Sequence, residues 1–444
     1  MGEDKSRKIA VIGAGAAGLI SAKTLSQAGV DVTIFEIGTC IGGMWDANND
    51  NGLGVAYNDL HINTDTYLTQ LKDYPFKLDA SDYANHTEMH EYLCGYAKNF
   101  GVDSLIRFKS KVTKIDPIEE GRAGWNVTIN DGDTERYDGI VIATGHLHAP
   151  RLPDLPGLFG GELIHAASYR NPKPFFDKRV CVLGFGNSAL DIATDLAHVA
   201  KKMVVSARTG AFVWPKYAFG YPLTRVAGKV HEIPLLTLGM KLRLARLLNG
   251  ILVRMVWGRM SDYGITLPEK TGHPISNQFF LSHLKYGRII LKRGIEKIKN
   301  QTIYFDDGTE QEFDTIIAAT GYTVKFPFLE SARLGNDDTL LPLYNRVVPP
   351  DLPGLYFVGY FNLDWASNPV YEQQAIWIRN IETGQCHLPS SEEMWREVHH
   401  RQRMIKEKFH NAPRMNLEVQ YGPYVRELKQ AQKYKNANVC SRTP

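Results

Sequence analysis

Ile9-Ala10-Val11-Ile12-Gly13-Ala14-Gly15-Ala16-Ala17-Gly18 decides the fold of this chain. Four apolar residues that end on a glycine read as a strand buried on both faces. Gly13 permits a tight turn, Gly15 lets the backbone approach a pyrophosphate, and Gly18 lets the next helix pack close to the strand. That helix runs to about Gln27, with Gly29 in the left-handed position just past its end. Its first amides, around Ala17, face the phosphates. The second strand, Val30–Phe35, ends at Glu36. An acid there accepts hydrogen bonds from both ribose hydroxyls and repels a 2′-phosphate. A lone G-x-G-x-x-G is weak evidence; strand, helix, second strand and terminal acid in order are strong evidence.

A second unit reads Val180-Cys181-Val182-Leu183-Gly184-Phe185-Gly186-Asn187-Ser188-Ala189. Ala189 takes the third glycine place, which the fingerprint allows. Its second strand, Met203–Ser206, is followed by Ala207 and Arg208. Glu36 lies 23 residues after Gly13, and Arg208 lies 24 after Gly184, so the positions are near-equivalent with opposite charge. A guanidinium suits a 2′-phosphate bidentately. The first site is therefore expected to take FAD and the second NADPH.

The 444 residues allow two or three domains. With 51 basic and 48 acidic side chains, the net charge of +3 gives no footprint for nucleic acid. Cys40, Cys94, Cys181, Cys386 and Cys440 are scattered and form no C-x-x-C. That argues against a disulfide framework, a metal site or a dithiol redox centre, and for a reducing, cytoplasmic compartment. No secretory signal and no run of roughly 18 apolar residues stands out, so no transmembrane anchor is expected.

Strand patterns recur at Trp125–Ile129 and Tyr137–Ala143 around a turn at Asp131-Gly132. They return at Ile289–Leu291, Thr302–Phe305, Thr315–Ala319 and Leu355–Val358. Pro150, Pro153, Pro156 and Gly157 mark an interdomain crossing. The segment Arg426–Pro444 reads as a polar, frayed tail.

Between the two fingerprints lies Phe159-Gly160-Gly161-Glu162-Leu163-Ile164-His165-Ala166-Ala167-Ser168-Tyr169. This resembles the F-x-G-x-x-x-H-x-x-x-Y/F motif of the flavin-containing monooxygenases, the class B flavoprotein monooxygenases. Gly42-Gly43-Met44-Trp45 resembles that family's GG-x-W segment, and Gly184-x-Gly186-Asn187-Ser188 its NADP loop. Ala143-Thr144-Gly145 and Ala319-Thr320-Gly321-Tyr322 resemble its two crossover segments. Pro369-x-x-Glu372-x-Gln374-x-x-Trp377 resembles its segment under the flavin. The likeness spans nearly the whole chain and is poor near Ala211–Gly264 and in the tail.

The resemblance implies an α/β fold with two Rossmann-like domains. A discontinuous FAD domain at 1–166 and 318–430 encloses an NADPH domain at 167–317. The latter carries a partly helical substrate-region insertion at about 211–287, and 431–444 is a polar tail. The resemblance further implies that NADPH reduces FAD, NADP+ stays bound, and molecular oxygen adds at the flavin C4a. The resulting hydroperoxide oxygenates a small soft nucleophile, an amine nitrogen or a sulfide sulfur. In His61-Ile62-Asn63-Thr64 it points to Asn63 as the neutral amide donor beside the reacting oxygen. It also points to Thr64, Gly43, Met44, Trp45 and Gln374 as flavin contacts, and to Ser188, Ala189, Leu190 and Asp191 as NADP contacts. A lone histidine such as His165 reads as a structural hydrogen-bonder in a linker between domains. A homodimer is the assembly the resemblance suggests.

Three matters stay open at the level of sequence. Tyr169-Arg170, where Baeyer–Villiger enzymes carry Trp, favours N- and S-oxygenation without excluding ketone oxidation. A peroxide-releasing oxidase or reductase would carry the same fingerprints. Met240, Leu244, Leu247, Leu248, Ile251 and Met255, flanked by Lys241, Arg243, Arg246 and Arg254, form a basic amphipathic helix. It serves either as a lid over the substrate entrance or as a peripheral membrane contact.

Overall fold

Lys8–Ile12 lies at the centre of a five-stranded, all-parallel sheet. Its neighbours are Asp31–Phe35 on one side and Gly139–Ile142 on the other, with Ile106–Arg107 and Leu355–Phe357 at the edges. Arg179–Leu183 holds the same place in a second five-stranded parallel sheet. There the order is Ile289–Lys292, Lys202–Ser206, Arg179–Leu183, Thr315–Ala318 and Glu162–His165. The chain is thus α/β with two Rossmann-like sheets that match in four strands; the fifth follows the unit in the first sheet and precedes it in the second. The computed structural model describes residues 6–118, 124–232, 238–269, 273–330, 341–408 and 416–435.

The central strands are apolar because both faces of each sheet are covered, by helices on one face and by an antiparallel meander on the other. Ile9, Ala10 and Val11, like Val180, Cys181 and Val182, are fully buried. Each fully buried aliphatic side chain of this kind contributes roughly 1.5–3 kcal/mol. Ala16–Ser26 packs on the first sheet and against the long helix Asn368–Glu382, and Asn187–Leu196 packs on the second sheet.

Each sheet also carries a three-stranded antiparallel meander. Val112–Pro117, Trp125–Ile129 and Thr134–Tyr137 form the first, and Ile295–Lys299, Thr302–Phe305 and Glu310–Glu312 the second. Two antiparallel segments, Ala149–Pro150 and Tyr322–Thr323, run side by side between the halves.

The structure corrects two readings. Tyr137–Ala143 is not one strand: the hairpin partner of Trp125–Ile129 is the polar Thr134–Tyr137, and Gly139–Ile142 joins the parallel sheet. Asp138 makes the break, taking the Lys8 amide on its carboxylate (2.8 Å) and giving its own amide to the Lys8 carbonyl (2.7 Å). The tail does not fray at Arg426, because Tyr421–Ala431 is a helix that buries Tyr424, Leu428 and Ala431. The rest of the tail, beyond Lys435, lies outside the described residues.

Candidate active site

The turn after the first strand is built for close approach. Gly13 has φ +105°, and a Cβ there would stand 2.8 Å from the Ala143 carbonyl oxygen. A Cβ at Gly18 would stand 1.9 Å from the Gly13 oxygen, so only glycine lets the helix sit this near the strand. Gly15 begins the helix Ala16–Ser26 with no side chain capping its amides. A helix N-terminus left open in this way is suited to a phosphate. The Gly43–Trp45 turn, with Met44 at its middle, faces Gly15, and Gly42 donates to the Ala14 carbonyl (3.1 Å).

Glu36 is 4% exposed. Its carboxylate accepts from the amides of Ala14 (2.8 Å) and Gly38 (2.9 Å), which fixes it at the end of the second strand. Both oxygens keep lone pairs for further donors, so the residues fit the adenosine ribose of an FAD.

The second unit repeats these bonds. Gly184 donates to Ser206 (2.9 Å) as Gly13 does to Phe35 (2.8 Å). Glu36 gives its amide to Arg107, and its counterpart Ala207 gives its amide to Lys292, each at 3.0 Å. Register therefore pairs Glu36 with Ala207 and puts the exposed Arg208 one residue beyond. Gly186 starts the helix Asn187–Leu196, again with no side-chain cap. Ala189 and Leu190 are fully buried and Ser188 is partly exposed. The Asn187 side-chain oxygen accepts from the Ser276 amide (3.1 Å). The Asp191 carboxylate is turned inward, accepting from the Tyr57 hydroxyl (2.7 Å) and the Asn277 side-chain amide (2.8 Å). Burial raises the Asp191 carboxyl above its ordinary value, opposed by nearby Lys216.

Asn63 lies exposed between buried neighbours, Ile62 and Asp65. The Thr64 hydroxyl pairs with that of Thr69 (2.9 Å). Segments from the 211–232 region grip the loop on both sides. Lys216 Nζ donates to the Ile62 carbonyl (3.2 Å). The Thr224 hydroxyl donates to Asp65 (2.7 Å), and Arg225 lies 3.4 Å from the same carboxylate. Gln374 is fully buried, accepting from the Gly359 amide (3.0 Å) and donating to the Tyr424 hydroxyl (2.7 Å). Its amide is engaged at both ends and acts on the site through Gly359, which packs near Ala17.

The linking motif supplies the fifth strand of the second sheet, Glu162–His165, and a short turn after it. Phe159 bridges to Asn300, and a Cβ on Gly161 would stand 2.6 Å from the Asp314 oxygen. His165 is 6% exposed; its Nε2 bonds the Gly321 carbonyl (3.0 Å), and its Nδ1 accepts from the Ala167 amide (3.0 Å). Burial holds the imidazole below its ordinary pKa, and both nitrogens are engaged, so it is a structural link to the crossover segment. Tyr169 donates to Asp195 (2.5 Å), one turn beyond Asp191 on the same helix, and its ring meets that of Tyr57.

Tyr57, Lys216, Thr224, Arg225 and Asn277 escaped the sequence reading. They belong to no motif, and single polar residues among aromatics carry no periodic signal.

The family model described as flavin-binding monooxygenase-like matches residues 6–440. Dimethylaniline monooxygenase [N-oxide-forming] 2 of Rattus norvegicus is 31% identical over 95% of this chain and 82% of its own length. Flavin-containing monooxygenase 5 of Oryctolagus cuniculus is 30% identical with the same coverage. Among solved structures, S-allyl-L-cysteine S-oxygenase from Allium sativum aligns with TM-score 0.72 and 26% identity, over 97% of this chain and 89% of that one. Cyclohexanone monooxygenase from Rhodococcus sp. Phi1, bound to NADP+, shares the fold with TM-score 0.69 and 19% identity, over 96% and 97% of the two chains.

Proposed function

Because the chain belongs to the flavin-binding monooxygenase-like family, we propose that it uses NADPH and molecular oxygen to place one oxygen atom on a soft nucleophile. The acceptor is an amine nitrogen or a sulfide sulfur. The second oxygen atom leaves as water, with two electrons from NADPH. One observation carries this reading: two sheets that match in four strands present two uncapped helix ends, with the buried Glu36 directly after the second strand of the first and the exposed Arg208 two residues after that of the second. The rat and garlic relatives are named for N-oxide formation and S-oxygenation, which supports a soft acceptor.

Bound FAD, once reduced, supplies the activated oxygen. The chain's own residues bind, orient and protect. Gly13, Gly15, Ala17 and Gly18 seat one pyrophosphate, and Glu36 the ribose next to it. Gly43, Met44, Trp45 and Thr64 line the flavin, with Gln374 behind. Gly184, Gly186, Asn187 and Ser188 seat the NADPH pyrophosphate on a helix shaped by Ala189, Leu190 and Asp191. Arg208 takes the 2′-phosphate. Asn63 offers an amide N–H, which stabilises charge on oxygen without delivering an acidic proton that would discharge it as peroxide.

We also assign 1–161 with 319–430 to the FAD unit and 162–318 to the NADPH unit, moving the bounds read from the sequence because Glu162–His165 and Thr315–Ala318 are strands of the second sheet, and expect a homodimer. Among the described residues no helix is long and apolar enough to cross a membrane. Leu238–Trp257 exposes Leu247, Ile251 and Met255 on one face with Arg243 and Arg254. That face suits peripheral contact with anionic lipid, and co-sedimentation with phosphatidylserine vesicles but not phosphatidylcholine ones tests it.

The function is tested by supplying purified FAD-loaded protein with NADPH and a tertiary amine or a thioether. NADPH loss, oxygen uptake and oxide formation in equal amounts are expected. A ketone in place of these acceptors, converted to an ester at a higher rate, would instead favour the Baeyer–Villiger reaction.

A further inference from the structure

We propose that Lys216 is a positioning residue that couples the helix Asn187–Leu196 to the loop carrying Asn63; this rests on the function proposed above. Three sets of contacts converge on it. Its Nζ donates to the carbonyl of Ile62, the residue before Asn63, at 3.2 Å. The segment that carries it is tied to that helix through Asn277, whose backbone amide donates to the Trp214 carbonyl (2.9 Å) and whose side chain donates to Asp191 (2.8 Å); the Lys216 charge also favours the ionised form of Asp191, which accepts from Tyr57 (2.7 Å). The place of Lys216 is fixed by Tyr83, whose hydroxyl donates to the Lys216 carbonyl (2.6 Å) and whose ring lies 5.2 Å from the amine.

The chain path makes these contacts a linkage. Tyr57 and Ile62 belong to the segment that leads into Asn63, and Asp191 belongs to the first half of the helix whose N-terminus meets the pyrophosphate. A displacement of that helix on nucleotide binding pulls Asp191. Asp191 is tied to the 57–63 segment directly through Tyr57 and electrostatically through Lys216. The far flank of Asn63 cannot follow freely, since Thr224 and Arg225 hold Asp65. Movement is therefore focused on Ile62-Asn63. The amine is half-buried, and the anions acting on it are Asp191 and the exposed Asp59. Burial lowers the pKa of the amine, and Asp191 and Asp59 oppose that shift. A lysine that merely filled space would need neither the Ile62 carbonyl nor the Asp191 charge.

The test compares FAD-loaded wild type with Lys216→Met, which keeps the length without the charge, and Lys216→Arg, which keeps the charge. Hydrogen exchange is read on peptides covering residues 57–66 and 187–196, with and without NADP+. NADP+ is expected to protect both peptides in wild type and K216R; in K216M it is expected to protect 187–196 as before and 57–66 clearly less, the Tyr57–Asp191 bond remaining. In turnover, K216M is expected to release roughly tenfold more of its electrons as hydrogen peroxide, with the KM for NADPH within about twofold of wild type. Equal protection of 57–66 in K216M, or loss of protection at both peptides, overturns the proposal. Should K216M fail to retain flavin, Asp191→Asn decides, since unchanged protection of 57–66 in D191N also overturns it. If wild type oxygenates no amine or sulfide, the proposed function fails, and the exchange result still judges Lys216 separately.

Discussion

Glu36 and Ala207 occupy the same hydrogen-bonded position in two sheets that match in four strands, each giving its amide to the third strand at 3.0 Å. At one the chain places a buried carboxylate, at the other a methyl group with Arg208 next in line. Under the proposed assignment, this exchange of charge on an otherwise repeated backbone separates the two nucleotides.

Nucleotide choice is therefore expected to respond to this pair alone. Arg208→Ala should raise the KM for NADPH roughly tenfold or more and leave turnover with NADH nearly unchanged. Ala207→Glu should move the preference further toward NADH. Steady-state kinetics with both nucleotides check the two variants.

Gly18→Val places carbon where even a Cβ would lie 1.9 Å from the Gly13 oxygen. Helix and strand must separate, at a cost of about 3 kcal/mol in this overpacked contact. The expected outcome is protein purified without yellow colour and with a lowered melting temperature, seen by flavin absorbance and thermal unfolding.

Asn63→Ala removes an exposed amide and no buried contact. Anaerobic bleaching of the flavin by NADPH should keep its rate. Product per NADPH should fall about tenfold or more, with peroxide making up the balance.

His165 gives a pH prediction. Burial holds its folded pKa below the ordinary 6.5, so the folded state favours the neutral ring. As pH falls through 6.5 the unfolded chain takes up the proton first, and stability drops. Above 6.5 the contribution is fully present. His86 and His283 are lowered in the same direction, so the contrast with His165→Gln isolates this residue. The melting temperature of wild type should fall more steeply below about pH 6.5 than that of H165Q.

Much of this architecture was legible because it repeats a local code. Gly13, Gly18 and Gly184 sit where only glycine fits, and apolar runs such as Val180–Leu183 mark central parallel strands. The edge strand Glu162–His165 was not legible, because it is partly exposed and too short for a periodic signal. Thr134–Tyr137 was hidden for a similar reason, its polar residues facing solvent. In the site, motif residues were readable by chemistry. Lys216, Thr224 and Arg225 were not, since they reach the Asn63 loop from more than 150 residues away.

The most direct measurement supplies FAD-loaded protein with NADPH, a thioether and oxygen gas labelled with oxygen-18. The account predicts a sulfoxide carrying one labelled oxygen per NADPH consumed. Unlabelled thioether recovered intact, with labelled hydrogen peroxide equal to the NADPH consumed, would contradict it.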